Sequence, residues 1–249
     1  MPSQFIEIPP DLIKTLKSSR HVVALIGAGI SAESGVPTFR QAQTGLWSQY
    51  DPTELATPEA FDRNPKLVWE WYTWRRDLIS QVQPNPGHFA LVELEKYYPQ
   101  FTLITQNVDG LHKLAGSKSV IELHGDIFRT RCSIENILIP GWPESSKTPP
   151  HCPHCDGLLR PDVVWFGESL PQEHLELALE AVRTCQVFLS IGTSSLVEPA
   201  ASLPFLALNQ GAIVVEINPQ RTPLSPMANY SFPHPAGQVL PRLIEAIKA

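Results

Sequence analysis

Four cysteines in 249 residues (Cys132, Cys152, Cys155 and Cys185) are too few for a disulfide framework, which sets aside the cross-linked secreted scaffolds. No uncharged apolar run reaches membrane-spanning length. The start, MPSQFIEIPPDLIKTLKSSR, has no basic segment leading into a long apolar one, so no signal peptide is expected. Basic charge is also scarce: 19 Lys and Arg against 25 Asp and Glu leave a net charge of −6. A phosphate backbone would meet repulsion, which argues against a nucleic-acid partner; Arg75-Arg76 is the local basic spot to follow. Repeats and low-complexity segments are absent. These absences lead to the expectation of a cytoplasmic protein with reduced thiols and no membrane partner.

What is present is a core. Hydrophobic residues make up 43% of the chain and charged residues 18%. Apolar runs at 21–27, 101–107, 119–125, 162–168, 186–193 and 212–218 read as buried strands. They are Val/Ile/Leu-rich without alternation, as in a parallel sheet covered on both faces. Helical periodicity fills 86–97, 171–184, 198–209 and 236–248. The alternation predicts an α/β fold, a Rossmann-like doubly wound parallel sheet. Residues 36–83 (a loop and a helical segment) and 126–161 (rich in Pro, Cys and His) break the rhythm. They are expected to form a smaller inserted lobe, leaving 1–35, 84–125 and 162–249 to the larger one.

In such sheets ligands sit beyond the carboxyl ends of the strands. The first strand runs into Gly27-Ala28-Gly29-Ile30-Ser31-Ala32, a G-x-G-x-x-A turn. There Gly27 would allow the tight turn, Gly29 the approach of a pyrophosphate, and Ala32 the packing of a helix whose N–H groups face phosphate. An ordinary dinucleotide fold continues into a helix, a strand and an acidic ribose ligand. This chain instead reads Glu33-Ser34-Gly35-Val36-Pro37-Thr38-Phe39-Arg40, which argues against a standard dehydrogenase. Gln106-Asn107-Val108-Asp109 closes the second strand with an amide and a carboxylate suited to a carboxamide and ribose hydroxyls. His124 closes the third, with a side chain that can serve as a general base near neutral pH.

GAGISAESGVPTFR, QNVD, His124-Gly125, Trp165-Phe166-Gly167-Glu168, Gly192-Thr193-Ser194 and Asn218 fall in one order along nearly the whole chain. That ordered set resembles the sirtuins, NAD-dependent protein deacylases. The resemblance implies NAD as cofactor and acyl-lysine proteins or peptides as partners. It also implies attack of the acyl oxygen on the ribose carbon that bears nicotinamide. His124 then assists a ribose hydroxyl, and the products are lysine, nicotinamide and O-acyl-ADP-ribose. His124 and Asn107 become the candidate catalytic pair. Gly27, Ala28, Gly29, Ser31, Ala32, Thr38, Phe39, Arg40, Gln106, Asp109, Gly192, Thr193, Ser194 and Asn218 become candidate NAD contacts. A weaker one is Ala236, and Glu216 ranks below Asn218. Val164, Trp165, Phe166, Gly167 and Glu168 are expected to meet the substrate.

Tyr72 and Arg75 lie three apart in a helical pattern and share a face, where a phenol and a guanidinium make a receptor for a carboxylate. WEWYTWRR and Ala56 resemble the class III subgroup that acts on acidic acyl-lysines, which implies desuccinylation and demalonylation with some deacetylation. The other readings are a plain deacetylase, an ADP-ribosyltransferase on the same fold, and a non-catalytic NAD-binding module. Sirtuins also carry a zinc on two Cys-x-x-Cys pairs. Here Cys152 and Cys155 form one pair, but the partner of Cys132 is replaced by Glu135, leaving Glu135, His151 or His154 as fourth ligand, or no site at all.

Overall fold

The computed structural model describes residues 6–37, 50–139, 141–143 and 148–249. Its first half runs α1 (Pro10–Ser18), β1 (His21–Ile26), α2 (Gly29–Ala32), α3 (Pro52–Leu55), α4 (Pro58–Arg63), α5 (Pro65–Ser80), α6 (Pro86–Tyr97) and β2 (Gln100–Thr105). Next come α7 (Leu111–Ala115), β3 (Val120–Glu122), β4 (Gly125–Cys132), β5 (Leu138–Ile139) and β6 (Leu159–Val163). The chain ends with α8 (Gln172–Thr184), β7 (Val187–Ile191), α9 (Leu203–Asn209), β8 (Ile213–Ile217), β9 (Tyr230–Phe232) and α10 (Ala236–Lys248). No helix among the described residues is long and apolar enough to cross a membrane.

Six strands form a parallel sheet in the order β3-β2-β1-β7-β8-β9. Numbered within the sheet alone, that is 3-2-1-4-5-6, the dinucleotide-binding order, with its switch point between β1 and β7. All six residues of β1 are buried because side chains alternate between two covered faces. Val22, Ala24 and Ile26 meet Leu12 and Leu16 of α1, Leu91 and Leu94 of α6, and Val239, Leu240 and Leu243 of α10. Val23 and Leu25 face Ala178 and Val182 of α8 and Leu203 and Ala207 of α9. The doubly wound expectation holds.

A second, antiparallel sheet, β5-β4-β6, lies in the segment expected to be irregular. One strand assignment is corrected there. Residues 162–168 are not a strand of the parallel sheet; β6 ends at Val163 and pairs antiparallel with β4. Beyond it the Trp165 N–H turns to the Glu168 carboxylate at 2.8 Å and the Phe166 N–H to the Ala56 carbonyl at 2.9 Å, so no ladder continues. Gly167, with φ +88°, completes the turn. Helices α3, α4 and α5 cover this sheet through a third core that includes Phe61, Val68, Trp71, Tyr72, Ile127 and Trp165. Each of these helices has a proline in its first turn and a side-chain cap, from Asp51, Thr57 and Asn64.

Candidate active site

Leu123 and His124 alone separate β3 of the parallel sheet from β4 of the antiparallel one, so the imidazole stands at the joint between the two sheets. Ion pairs brace that joint. Glu122 on β3 and Asp162 on β6 both bind Arg129 of β4, at 2.9 and 2.8 Å, and Asp162 also binds Arg131 at 2.7 Å. His124 Nδ1 lies 2.9 Å from the Gln106 carbonyl. A carbonyl only accepts, so Nδ1 carries the hydrogen and Nε2 keeps the basic lone pair. Burial lowers the pKa of the ring below its usual value, the Gln106 bond opposing, which keeps the imidazole neutral and able to take a proton.

The carboxyl ends of β1, β2, β7 and β8 meet at one edge. Ser31 Oγ donates to Asp109 at 2.6 Å and accepts from Asn107 Nδ2 at 3.1 Å. Burial raises the Asp109 pKa, against the bonds from Ser31 and from the Leu111 N–H. Gln106 Nε2 donates to Thr193 Oγ1 at 3.1 Å, and Asn218 Nδ2 to the Thr193 carbonyl at 2.7 Å, so Gln106, Thr193 and Asn218 tie three strand ends together. Ser195 Oγ is buried there with no hydrogen-bond partner among the described residues. Hydroxyls, amides and one carboxylate lining the switch point are a set of hydrogen-bond donors and acceptors that fits a dinucleotide. Glu216 faces elsewhere, accepting from Thr222 and Ser231. Ala236 begins α10 and is buried.

The glycines of the first turn act differently from the expectation. Neither Gly27 nor Gly29 has a positive φ, so no tight turn demands them. A Cβ on Gly27 would come within 2.6 Å of Thr193 Cα, and one on Gly29 within 2.7 Å of Gly192 Cα. Gly192, at φ +60°, answers from the other side, where a Cβ would sit 2.6 Å from the Ile30 nitrogen. The three let the β1 and β7 turns lie back to back. Ala28 is half-exposed beside them, and Ser194 is half-exposed on the opposing turn. Ala32 is exposed at the end of α2, a single turn of four residues, and Ile30 and Ser31 are the residues that this turn buries. Thr38, Phe39 and Arg40 lie outside the described residues.

From His124 the wall of the site continues along 164–168. The Val164 N–H donates to the His124 carbonyl at 2.9 Å, and buried Trp165 donates from Nε1 to Tyr72 Oη at 3.0 Å. Ala56 is buried and holds the Phe166 N–H, while the Phe166 ring is exposed. Arg75 sits over the Trp71 ring at 5.2 Å from its centroid. Burial lowers the Arg75 pKa, with the neighbouring Tyr72 opposing, and raises that of Tyr72. Tyr72 and Arg75 lie three apart on α5, near enough for each to act on the other's charge. Glu168 is turned to Arg160, at 2.5 and 2.9 Å. Arg160 is the residue that sequence reasoning missed. An outward arginine in a strand carries no signal that it will stack on an indole five residues later.

Ligand atoms of Cys132, Glu135, Cys152 and Cys155 all lie within 4.8 Å of one another, and the Cys132 and Cys155 sulfurs are 3.4 Å apart. Tetrahedral zinc, with zinc–sulfur bonds of about 2.3 Å, needs sulfur separations of about 3.8 Å, so the three thiols and the carboxylate fit it. Backbone N–H groups of Glu135 and His154 point at Cys132 and Cys152 sulfurs, each at 3.4 Å, as thiolates require. Of the three candidates for fourth ligand, Glu135 is the one at hand. His151 holds Asp156 through Nδ1 at 2.8 and 2.9 Å and His154 is exposed, and neither belongs to the cluster.

A model of the Sir2 family matches residues 27–199. The chain belongs to the Sir2 family. An NAD-dependent protein deacylase of Aquifex aeolicus (strain VF5) is 53% identical over 229 residues, spanning 92% of this chain and 95% of that protein. A crystal structure of a Sir2 homologue–NAD complex superposes with a TM-score of 0.91 at 46% identity, covering 97% of this chain and 94% of the other. A Sir2 protein bound to acetylated peptide superposes with a TM-score of 0.85 at 30% identity, covering 94% and 96%.

Proposed function

We propose that this chain removes acyl groups from protein lysines, consuming NAD, and that it prefers the acidic succinyl and malonyl groups. The observation that carries the reading is continuity. One wall runs from the backbone carbonyl of His124, which accepts from the Val164 N–H, through Trp165 to the phenol of Tyr72, with Arg75 three residues further along the same helix. Its relatives' names support the deacylase part, and the Sir2–NAD complex supports the nucleotide.

Bound NAD supplies the ribose carbon that releases nicotinamide and the ADP-ribose that takes up the acyl group. Asn107, Ser31 and Asp109 form the polar cradle beside that sugar. His124 Nε2 takes the proton from a ribose hydroxyl, its ring held by the Gln106 carbonyl. Burial around Trp165 keeps water from competing for the sugar. At the far end, a carboxylate on the acyl chain restores to Arg75 the charged environment that burial removes. Small Ala56 leaves length for that chain.

Matched acetyl- and succinyl-lysine peptides test the reading. Arg75→Met should lower kcat/KM on succinyl-lysine by about 10- to 100-fold more than on acetyl-lysine, the worth of one or two charge-assisted hydrogen bonds. Equal losses would sink the acidic-acyl preference. Mass spectrometry should find O-acyl-ADP-ribose; ADP-ribosylated peptide in its place would mark a transferase.

We also infer that Cys132, Cys152, Cys155 and Glu135 hold a structural zinc that cross-links β4 to the 152–155 turn. Metal analysis should find one zinc per chain. Replacing a thiolate by a carboxylate weakens the grip, so Glu135→Cys should keep its zinc at chelator concentrations that strip the parent and lower its melting temperature. Zinc-free protein of unchanged stability would count against the assignment.

A further inference from the structure

Trp165 is held at its indole nitrogen, its ring face and its backbone. Its Nε1 donates to Tyr72 Oη at 3.0 Å, its own backbone N–H is held by Glu168 at 2.8 Å, and the Arg160 guanidinium sits over its ring at 3.3 Å from the centroid. Arg160 is itself fixed by both oxygens of Glu168 and by the Val163 carbonyl at 2.8 Å. Phe61 packs on the ring, with centroids 5.3 Å apart. An unbroken sequence of contacts therefore leads from an ion pair on the 160–168 segment to the phenol of the acyl pocket.

The direction of the last hydrogen bond has a chemical consequence. An indole N–H is a donor only, so the phenol oxygen must accept. Its single proton is then left for a second acceptor, which is what an incoming carboxylate offers. Burial holds the Tyr72 pKa above the ordinary phenol value, so that proton is retained at neutral pH. Without the indole donor, the hydroxyl would be free to rotate and the preference for an acceptor would weaken.

We propose that Trp165, clamped by the Arg160–Glu168 pair, is a positioning residue that presents the Tyr72 hydroxyl as a donor and so sets the preference for acidic acyl groups. This rests on the acidic-acyl reading above. The test is a double-mutant cycle on acetyl- and succinyl-lysine peptides. Trp165→Phe keeps an aromatic ring and removes the donor. It should lower the succinyl-to-acetyl ratio of kcat/KM about tenfold, through the KM for the succinyl peptide, the size expected for one good buried hydrogen bond. On a Tyr72→Phe background the same change should leave the ratio where Tyr72→Phe alone puts it, because Trp165 acts through that hydroxyl. An unchanged ratio in W165F, or equal factors on both backgrounds, overturns the proposal. Should W165F fail to fold, Arg160→Lys keeps the charge but loses the planar contact, and it should lower the ratio several-fold; no change overturns the clamp. A selective Arg75→Met loss combined with an additive cycle leaves the acyl reading standing and removes this one, whereas an unselective Arg75→Met removes the acyl reading itself.

Discussion

Replacing His124 by alanine should lower kcat/KM about 100- to 10,000-fold on every acyl peptide, the usual contribution of a positioned general base. The expectation comes from the placement of the ring. It stands at the two-residue joint between the sheets, with Nδ1 committed to the Gln106 carbonyl and Nε2 left basic. The pH profile carries the same prediction with a sign. The reactive form is neutral, and burial lowers the pKa of the ring, so activity should hold as pH falls to the ordinary histidine value of 6.5 and drop only below it. The residual activity of His124→Ala should lose that acid limb. A variant that keeps wild-type rates, or a limb above 6.5, would remove His124 from the chemistry.

Much of this arrangement is legible in the sequence because its signals are local. All-apolar runs such as HVVALI mark buried parallel strands, and the polar residues that close them, QNVD and His124, fall at the sheet edge where ligands bind. The candidate zinc cluster is three-quarters legible from Cys132, Cys152 and Cys155, but the choice among Glu135, His151 and His154 depends on which side chain the fold carries to the three sulfurs. Other features depend on contacts that no short window contains. β4 does alternate, with Thr130 and Cys132 buried and Arg129 and Arg131 turned outward, yet its two arginines are paid for by partners on β3 and β6 that the segment cannot reveal. DVVWFGE has strand composition throughout, and only the capture of the Trp165 and Phe166 N–H groups by Glu168 and Ala56 stops it at Val163. The glycines of the first turn are legible as glycines but not in their reason, which lies on the turn after β7 at Gly192 and Thr193.

The second large effect concerns stability, and it comes from two histidines away from the chemistry. His88 on α6 and His112 on α7 are buried with ring centroids 4.9 Å apart. His88 Nδ1 accepts from the Asn85 N–H at the helix cap, at 3.3 Å. His88 Nε2 and both nitrogens of His112 have no partner among the described residues. Burial pushes the pKa of His88 down to about 4, and burial together with the nearby His88 pushes His112 down to about 3, from the ordinary 6.5. In the folded state both rings are therefore neutral where the unfolded chain would protonate them. The unfolded state binds more protons, so stability falls as pH falls. Their contribution is complete above pH 6.5 and is lost progressively as the pH drops through about 4 and about 3. The slope is up to roughly 1.4 kcal/mol per pH unit for each ring across that window. Urea unfolding midpoints measured from pH 7 to pH 4 should fall steeply for the wild type. His112→Leu keeps a side chain of similar bulk and removes one titrating ring, so its curve should be shallower and should converge on or cross the wild-type curve near pH 4. Parallel curves would mean that His112 does not titrate on unfolding, and the buried pair would lose its role in acid sensitivity.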